Sequence, residues 1–292
     1  MRNISKYHQS IKRGVHDNRQ VISKYGLGII ILGIALGGLA ITILLRNENN
    51  VPLVRQNIID KWVKLEDQQA GTALLFVNPE KGDDSQTGLS KEAAYRTVQK
   101  ALDKAVAGDV IELATGDYFQ SIKTVRSGKK DKPITIRGDD KGIVSIRGDS
   151  KNNRVIEINH DYIIFMRLTV DGKTNQGTKK EDYKDKLIYA QGTQPKQGVK
   201  GVRLYKLLVK NAGGECIRFR YFAEQNEISN NTVENCGAYD FIFNQGGKNG
   251  EGIYIGTAPE QLADGKNPTK DRDVSANNWI HHNVIKTNAT NA

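Results

Sequence analysis

A 24-residue recurrence in the last third of the chain constrains its fold more than any other feature. Leu204-Tyr205-Lys206-Leu207-Leu208-Val209-Lys210-Asn211 lines up with Ile228-Ser229-Asn230-Asn231-Thr232-Val233-Glu234-Asn235, which sets Val209 and Val233 24 positions apart. Ile280-His281-His282-Asn283-Val284-Ile285 repeats the shape, and Phe165-Met166-Arg167-Leu168-Thr169-Val170 anticipates it. From Phe165 to Leu204 the offset is 39, and a Lys-rich polar insertion around residues 174–186 accounts for the extra 15. Repeats of about 20–50 residues separated by insertions point to a solenoid.

Each copy carries short β-branched runs, whose alternate side chains point inward and stack on those of neighbouring coils. Asn and Gly belong at the bends, where positive φ and local hydrogen bonds are wanted. Asn231 and Asn283 fall at equivalent bends, which predicts an asparagine stack. Earlier, the pattern predicts a strand over 73–77, a polar loop over 78–90 broken by Gly82 and Gly88, and a helix over 93–106 closed by Gly108. A strand over 110–113, a turn at Thr115-Gly116-Asp117 and β-runs over 134–138 and 143–148 follow. The alternative, a βαβ sheet, needs a helix between consecutive strands, and the pattern shows none after residue 106, which favours the solenoid.

The net charge of +10 is unevenly spread. Arg2, Lys6, Lys12, Arg13, Arg19 and Lys24 face only Asp17 in residues 1–25, while the rest of the chain carries an ordinary mixed surface. Next comes GLGIIILGIALGGLAITILL, from Gly26 to Leu45, with no charge. At about 1.5 Å per residue it spans about 30 Å, the hydrocarbon thickness of a bilayer. The run is long for a cleaved secretory signal, and Leu44-Leu45-Arg46 is a poor peptidase site. We therefore expect a basic cytoplasmic tail (1–25), one transmembrane helix (26–45) in contact with the lipid bilayer, and a linker (46–70). An extracytoplasmic solenoid (71–292) would follow; the positive-inside rule sets this orientation. The basic tail then reads as a topology signal, and nucleic acid is not an expected partner. Cys216 and Cys236 are too few for a disulfide framework. Ala292 aligns opposite Asp240, where a further coil would begin, so the solenoid is expected to be truncated there or to pair with another molecule.

Residues 76–118 resemble the N-terminal signature of the pectin-lyase-like superfamily of right-handed parallel β-helices. Val77, Pro79, Gly82, Asp84 and Gly88 match first, then Tyr95-Arg96-Thr97-Val98, Ala101-Leu102, Ala105, Gly108-Asp109, Ile111, Leu113, Gly116 and Tyr118. The resemblance implies an all-β right-handed parallel β-helix whose first strand and helix cap the open end of the coil. It also implies a carbohydrate-active protein, lyase-like or epimerase-like, or a non-catalytic surface or adhesion scaffold on the same fold.

Within the chain, Gly213-Gly214-Glu215-Cys216-Ile217-Arg218-Phe219-Arg220 loosely resembles the strand of alginate and chondroitin B lyases. There a glutamate helps to bind calcium and a lysine acts as base. Glu215 falls at the glutamate position, which is the only ground for expecting Ca²⁺. Arg220 replaces the lysine, and a guanidinium is a poor proton acceptor but a good carboxylate clamp. With Ile217 and Phe219 inward, Arg218 and Arg220 would project from one sheet face about 6.5–7 Å apart. Tyr254, between Ile253 and Ile255, would face outward on a further strand, with Glu251 toward the core side. Glu215, Arg218, Arg220 and Tyr254 are therefore the expected binding residues, and an acidic polysaccharide the expected partner. The stretch 240–243 resembles the same strand, so one of the two must be loop. His281 and His282 read as bend residues. Arg137-Gly138-Asp139 and Arg147-Gly148-Asp149 read as turns, and the pairs Asp83/Asp84 and Asp139/Asp140 do not make a calcium site by themselves.

Overall fold

The structure, a computed structural model, describes residues 73–244 and 250–286, all within the compact unit Gly71–Ala292. The expected tail, transmembrane run and linker lie outside the described residues. Among the described residues no helix is long and apolar enough to cross a membrane.

The chain opens with β1 (Leu74–Val77), which turns Leu75 and Val77 inward, and α1 (Val98–Lys104), which buries Val98, Ala101 and Leu102. This helix is shorter than the expected 93–106. Tyr95 is held extended, its N–H donating to Phe76 O at 2.9 Å while its carbonyl accepts from Asn78 N at 2.8 Å. Asp84 then accepts the N–H groups of Arg96 and Thr97, both at 2.9 Å, and Thr97 caps the helix. Tertiary hydrogen bonds set the start of the helix, and its apolar periodicity does not.

The rest is a coil. In order come β2 (Val110–Leu113), β3 (Gly116–Tyr118), β4 (Ile122–Lys123), β5 (Ile134–Gly138), β6 (Val144–Ile146), β7 (Arg154–Ile158), β8 (Ile163–Met166) and β9 (Thr169–Asp171). Then follow β10 (Lys186–Gln191), β11 (Arg203–Tyr205), β12 (Leu208–Lys210), β13 (Ile217–Arg220), β14 (Glu227–Ser229) and β15 (Thr232–Glu234). A short α2 (Ala238–Phe241), β16 (Ile253–Ile255), β17 (Trp279–His281) and β18 (Val284–Lys286) end the described chain. The strands form three parallel sheets: seven-stranded β1-β2-β5-β8-β11-β14-β17, five-stranded β16-β13-β10-β7-β4, and six-stranded β18-β15-β12-β9-β6-β3. This is a parallel β-helix.

Its core is built of columns. Leu75, Ile111, Ile136, Phe165, Leu204, Ile228 and Ile280 are successive register partners in the first sheet. Ile122, Ile156, Ile188, Ile217 and Ile253 are partners in the second. Tyr118, Ile146, Val170, Val209, Val233 and Ile285 are partners in the third. Each fully buried member stabilises the fold by about 1.5–3 kcal/mol. The expected pairing of Val209 with Val233 is present. The columns run out at the last described coil, where Ile280 and Ile285 are exposed.

The bends repeat as strictly as the strands. Between the first and third sheets Arg167, Lys206, Asn230 and His282 all have φ of 52–57°. Between the second and first sheets Tyr162, Gly201, Gln225 and Asn277 take the equivalent left-handed place. The expectation of Asn and Gly at these points is thus too narrow. Hydrogen bonds along the coil axis, such as Arg167 N to Tyr205 O at 3.2 Å, hold unfavourable residues there. His282 is a bend residue, as expected, whereas His281 ends β17 and is not. The predicted asparagine stack is present: Asn231 Nδ2 donates to Asn283 Oδ1 at 2.9 Å. A second stack, Asn226 to Asn278 at 2.9 Å, was not foreseen.

One further expectation changes, one open alternative is decided, and one covalent link is added. The predicted turn at Thr115-Gly116-Asp117 contributes to β3, because Tyr118 must reach the core, where its hydroxyl donates to Val77 O and Ala114 O. Of the stretches 240–243 and 253–255 the second is the strand, and the first lies in and beside α2. Cys216 and Cys236 form a disulfide with Cα atoms 5.6 Å apart. Their separation of 20 residues is nearly one coil, so stacking of the coils brings them side by side.

Candidate functional site

The outer face of the five-stranded sheet carries the charged and aromatic side chains singled out in the sequence. Its register aligns Lys123, Glu157, Tyr189, Arg218 and Tyr254 in one column. Gln191 and Arg220 are partners in the next column. On three coils two successive residues turn inward: Val155 and Ile156, Leu187 and Ile188, Cys216 and Ile217 are all fully buried. This break in alternation leaves Arg154 and Glu157, Lys186 and Tyr189, Glu215 and Arg218 on the outer side, each pair three positions apart.

The groups make one connected network. Arg218 donates from Nη1 to Glu215 Oε1 at 2.6 Å, from Nη2 to Gln261 Oε1 at 2.8 Å and from Nε to Gly256 O at 3.2 Å. Its guanidinium lies 3.6 Å from the ring centroid of Tyr254, a stacking worth about 0.5–2 kcal/mol. One coil back, Arg154 lies 3.8 Å from the Tyr189 centroid and 3.1 Å from Glu157. The Tyr189 hydroxyl donates to Gln191 Oε1 at 2.8 Å; burial raises its pKa despite the opposing pull of Arg220, Arg154 and Arg218. Lys186 Nζ is 3.3 Å from Glu215 Oε2, near enough to pair electrostatically although that oxygen has no aligned hydrogen bond.

Arg220 donates from Nε to Asn267 Oδ1 at 2.6 Å and from Nη2 to both oxygens of Asp264, at 2.8 and 3.0 Å. Burial pushes the Asp264 pKa up, but the Lys266 N–H and Arg220 outweigh it and hold it below the usual carboxylate value. Arg220 also reaches Gln261 O, while Gln191 Nε2 reaches Lys266 O at 2.6 Å.

The structure therefore brings Glu215, Arg218, Arg220 and Tyr254 together on one face and confirms the inward placing of Ile217 and Phe219. It corrects their expected openness: Arg218 and Arg220 are only 1% and 3% exposed. The segment 257–273 covers them. Ile217 pairs with Ile253, 36 positions on, and Glu227 with Trp279, 52 on. Against the 24-residue coil before, twelve extra residues precede β16 and sixteen follow it. The insertion after β16 supplies the cover. Lys186, Tyr189, Gln191, Gln261, Asp264 and Asn267 were missed by sequence reasoning. The offset of 52 between Ile228 and Ile280 was the available signal for the insertion, although it did not show where the insertion folds. Likewise, ten of the fifteen extra residues before Leu204 lie between β9 and β10, and five lie between β10 and β11.

Calcium does not fit Glu215 as it stands, because its two oxygens face Arg218 and Lys186. Among the described residues no group of three or more His, Cys, Asp or Glu is placed to hold a metal ion. Glu251 Oε2 is buried without a partner. The other motifs are absorbed by the coil. Arg137 pairs with Glu112 at 2.9 Å, and Arg147 with Asp117 and Asp171 at 2.7 and 2.9 Å. Arg137 and Gly138 end β5, while Gly148 (φ 73°) is the turn expected there. His281 stacks on Trp279 and lies 3.2 Å from Glu227.

Residues 93–185 match the family model described as Chondroitinase B. The chain is 36% identical over 83 residues to the uncharacterized protein YwoF of Bacillus subtilis (strain 168), a match covering 28% of this chain and 17% of that protein. Among solved structures, an alginate lyase from Paenibacillus sp. str. FPU-7 aligns with a TM-score of 0.47 at 23% identity, over 65% of this chain and 54% of its own. The pectate lyase Pel9A aligns at 0.44 and 15% identity, over 56% and 41%. The chain thus spans about half or less of these relatives. The resemblance to the pectin-lyase-like, right-handed parallel β-helix proteins holds. The family match ends at residue 185, before Glu215, Arg218, Arg220 and Tyr254.

Proposed function

We propose that this protein binds or modifies an acidic polysaccharide of the cell envelope, on the outer face of the five-stranded sheet, while anchored to the membrane through residues 26–45. The observation that carries this reading is the cationic and aromatic column of Tyr189, Arg218 and Tyr254, flanked by Lys186 and Arg220. Guanidinium forks pair with carboxylates, and aromatic rings stack on sugar faces. The match of residues 93–185 to chondroitinase B supports a polysaccharide ligand. The Cys216–Cys236 disulfide supports an oxidising, extracytoplasmic setting.

The test is a panel of uronic acid polymers and neutral polymers, offered to the full-length chain and assayed for binding and for unsaturated product. Salt-sensitive binding of the acidic polymers alone is the expected result; no preference between the two classes would refute the reading. Unsaturated product would identify a lyase, with a residue other than Arg220 as base.

A second reading, a non-catalytic scaffold, has one observation in its favour: Arg218 and Arg220 are each already paired with an acid of the same chain. Anchoring is tested separately. Carbonate-resistant membrane association with the N-terminus at Met1 is expected, and a mature N-terminus near residue 46 would refute it.

A further inference from the structure

Two arginines on the outside of a sheet are ordinarily solvated, and here a loop seals both. The seal is unusual in composition. None of residues 257–273 is fully buried, so no fully buried apolar side chain fastens the cover to the coil. What holds it is polar: Gln261 on Arg218, Asp264 and Asn267 on Arg220, and Lys266 O on Gln191. At the far end Thr269 meets the Tyr221 hydroxyl at 2.8 Å, and Asp273 accepts the N–H groups of Tyr221 and Phe222 at 2.9 and 2.8 Å. Contacts of this kind exchange readily with water or with another ligand bearing the same groups. The near hinge is Gly256, at φ 101°; a Cβ there would meet only Asp273, at 3.9 Å. Asp264 presents a carboxylate to Arg220 and Gln261 presents an amide oxygen to Arg218, the groups a uronic acid or an N-acetylated sugar would offer.

We propose that residues 257–273 are a cover that opens, and that Asp264 occupies the slot taken by a sugar carboxylate when it does. This rests on the acidic-polysaccharide reading and adds its regulation: the closed chain inhibits its own site through an internal mimic of the ligand. Opening uncovers Arg218 and Arg220 together, since Gln261, Asp264 and Asn267 are carried on the same loop.

The test compares the full-length wild type with Asp264→Ala and with Asp264→Asn, which keeps the side chain's shape and removes its charge. Two quantities are measured: affinity for polygalacturonate, and the rate of tryptic cutting after Lys266 and Lys270. Both variants are expected to bind about tenfold more tightly, the worth of one charge-assisted contact, and to be cut several-fold faster. Equal polygalacturonate affinity in all three proteins would overturn the cover while leaving the acidic-polysaccharide reading in place. Unchanged cutting would also overturn it. Faster cutting with no polygalacturonate binding in any of the three would overturn both.

Discussion

Asn231 lies directly under Asn283, one coil further on, and donates to its Oδ1 at 2.9 Å. The same Nδ2 serves Leu204 O at 3.0 Å, and Asn231 Oδ1 accepts the Leu207 N–H at 2.9 Å. One buried amide thus satisfies backbone groups on the preceding coil and joins it to the next. Asn231→Ala should lower stability by about 2–4 kcal/mol, because Leu204 O and Leu207 N–H are left buried and unpaired. Denaturant unfolding measures this. A loss below about 0.5 kcal/mol, typical of a surface change, would mean that the stack is ornamental.

The buried pair Glu215–Arg218 should respond differently from the half-covered pair Asp264–Arg220. Arg218→Ala leaves Glu215, which is 1% exposed, with its hydrogen-bonded partner gone and Lys186 alone beside it, and should cost about 3–5 kcal/mol. Arg220→Ala leaves Asp264, whose side chain is 24% exposed, free to turn to solvent, and should cost clearly less. The comparison of melting curves fails if the two variants fall equally. It also shows that an Arg218→Ala loss of ligand binding needs a folding control.

Reducing the Cys216–Cys236 bridge should destabilise the domain by about 3 kcal/mol, as expected for a closed loop of its length. Thermal unfolding with and without a reductant, and with Cys216→Ala/Cys236→Ala, checks the size of the effect. An unchanged midpoint would show that the coil alone holds residues 216 and 236 together.

Acid should loosen the cover. Burial raises the Asp273 pKa, but hydrogen bonds from Phe222 N–H, Thr257, Ser275 and Tyr221 N–H outweigh it, so the net shift is downward from 3.8; Asp264 is lowered as well. A carboxylate depressed in the folded state adds stability above its unfolded pKa and loses it as pH falls through the folded value. Hydrogen exchange over 257–273, corrected for intrinsic rate, should therefore be constant from neutrality to about pH 4 and speed up below it. β10 and β13 should stay protected until lower pH. Simultaneous loss of protection in the cover and in the coil would contradict a separately opening segment.

How much of this was legible in the chain depends on the range of the interactions involved. The register of Val209 on Val233, the asparagine stack and the inward set Ile217 and Phe219 follow from a repeat that each coil restates, because a period-2 strand and a fixed coil length leave one way to bury the apolar residues. The shared outward face of Arg218 and Arg220 was readable for the same reason; the register that sets Tyr254 beside Arg218 was not, because it lies 36 positions on, off the 24-residue repeat. Nor was the burial of the two arginines. Nothing local to Asp264 announces that it will fold back 44 residues to Arg220, since a polar insertion of mixed charge satisfies water equally well. The bridging of Cys216 to Cys236, the start of α1 at Val98 and the bend conformations of Arg167 and Lys206 were likewise decided only in three dimensions. There, hydrogen bonds between coils outweigh the intrinsic preference of the residue that makes them. Periodicity along the chain is enough to specify the solenoid and the face each side chain takes, because both repeat locally; which of those faces is closed depends on contacts between distant segments.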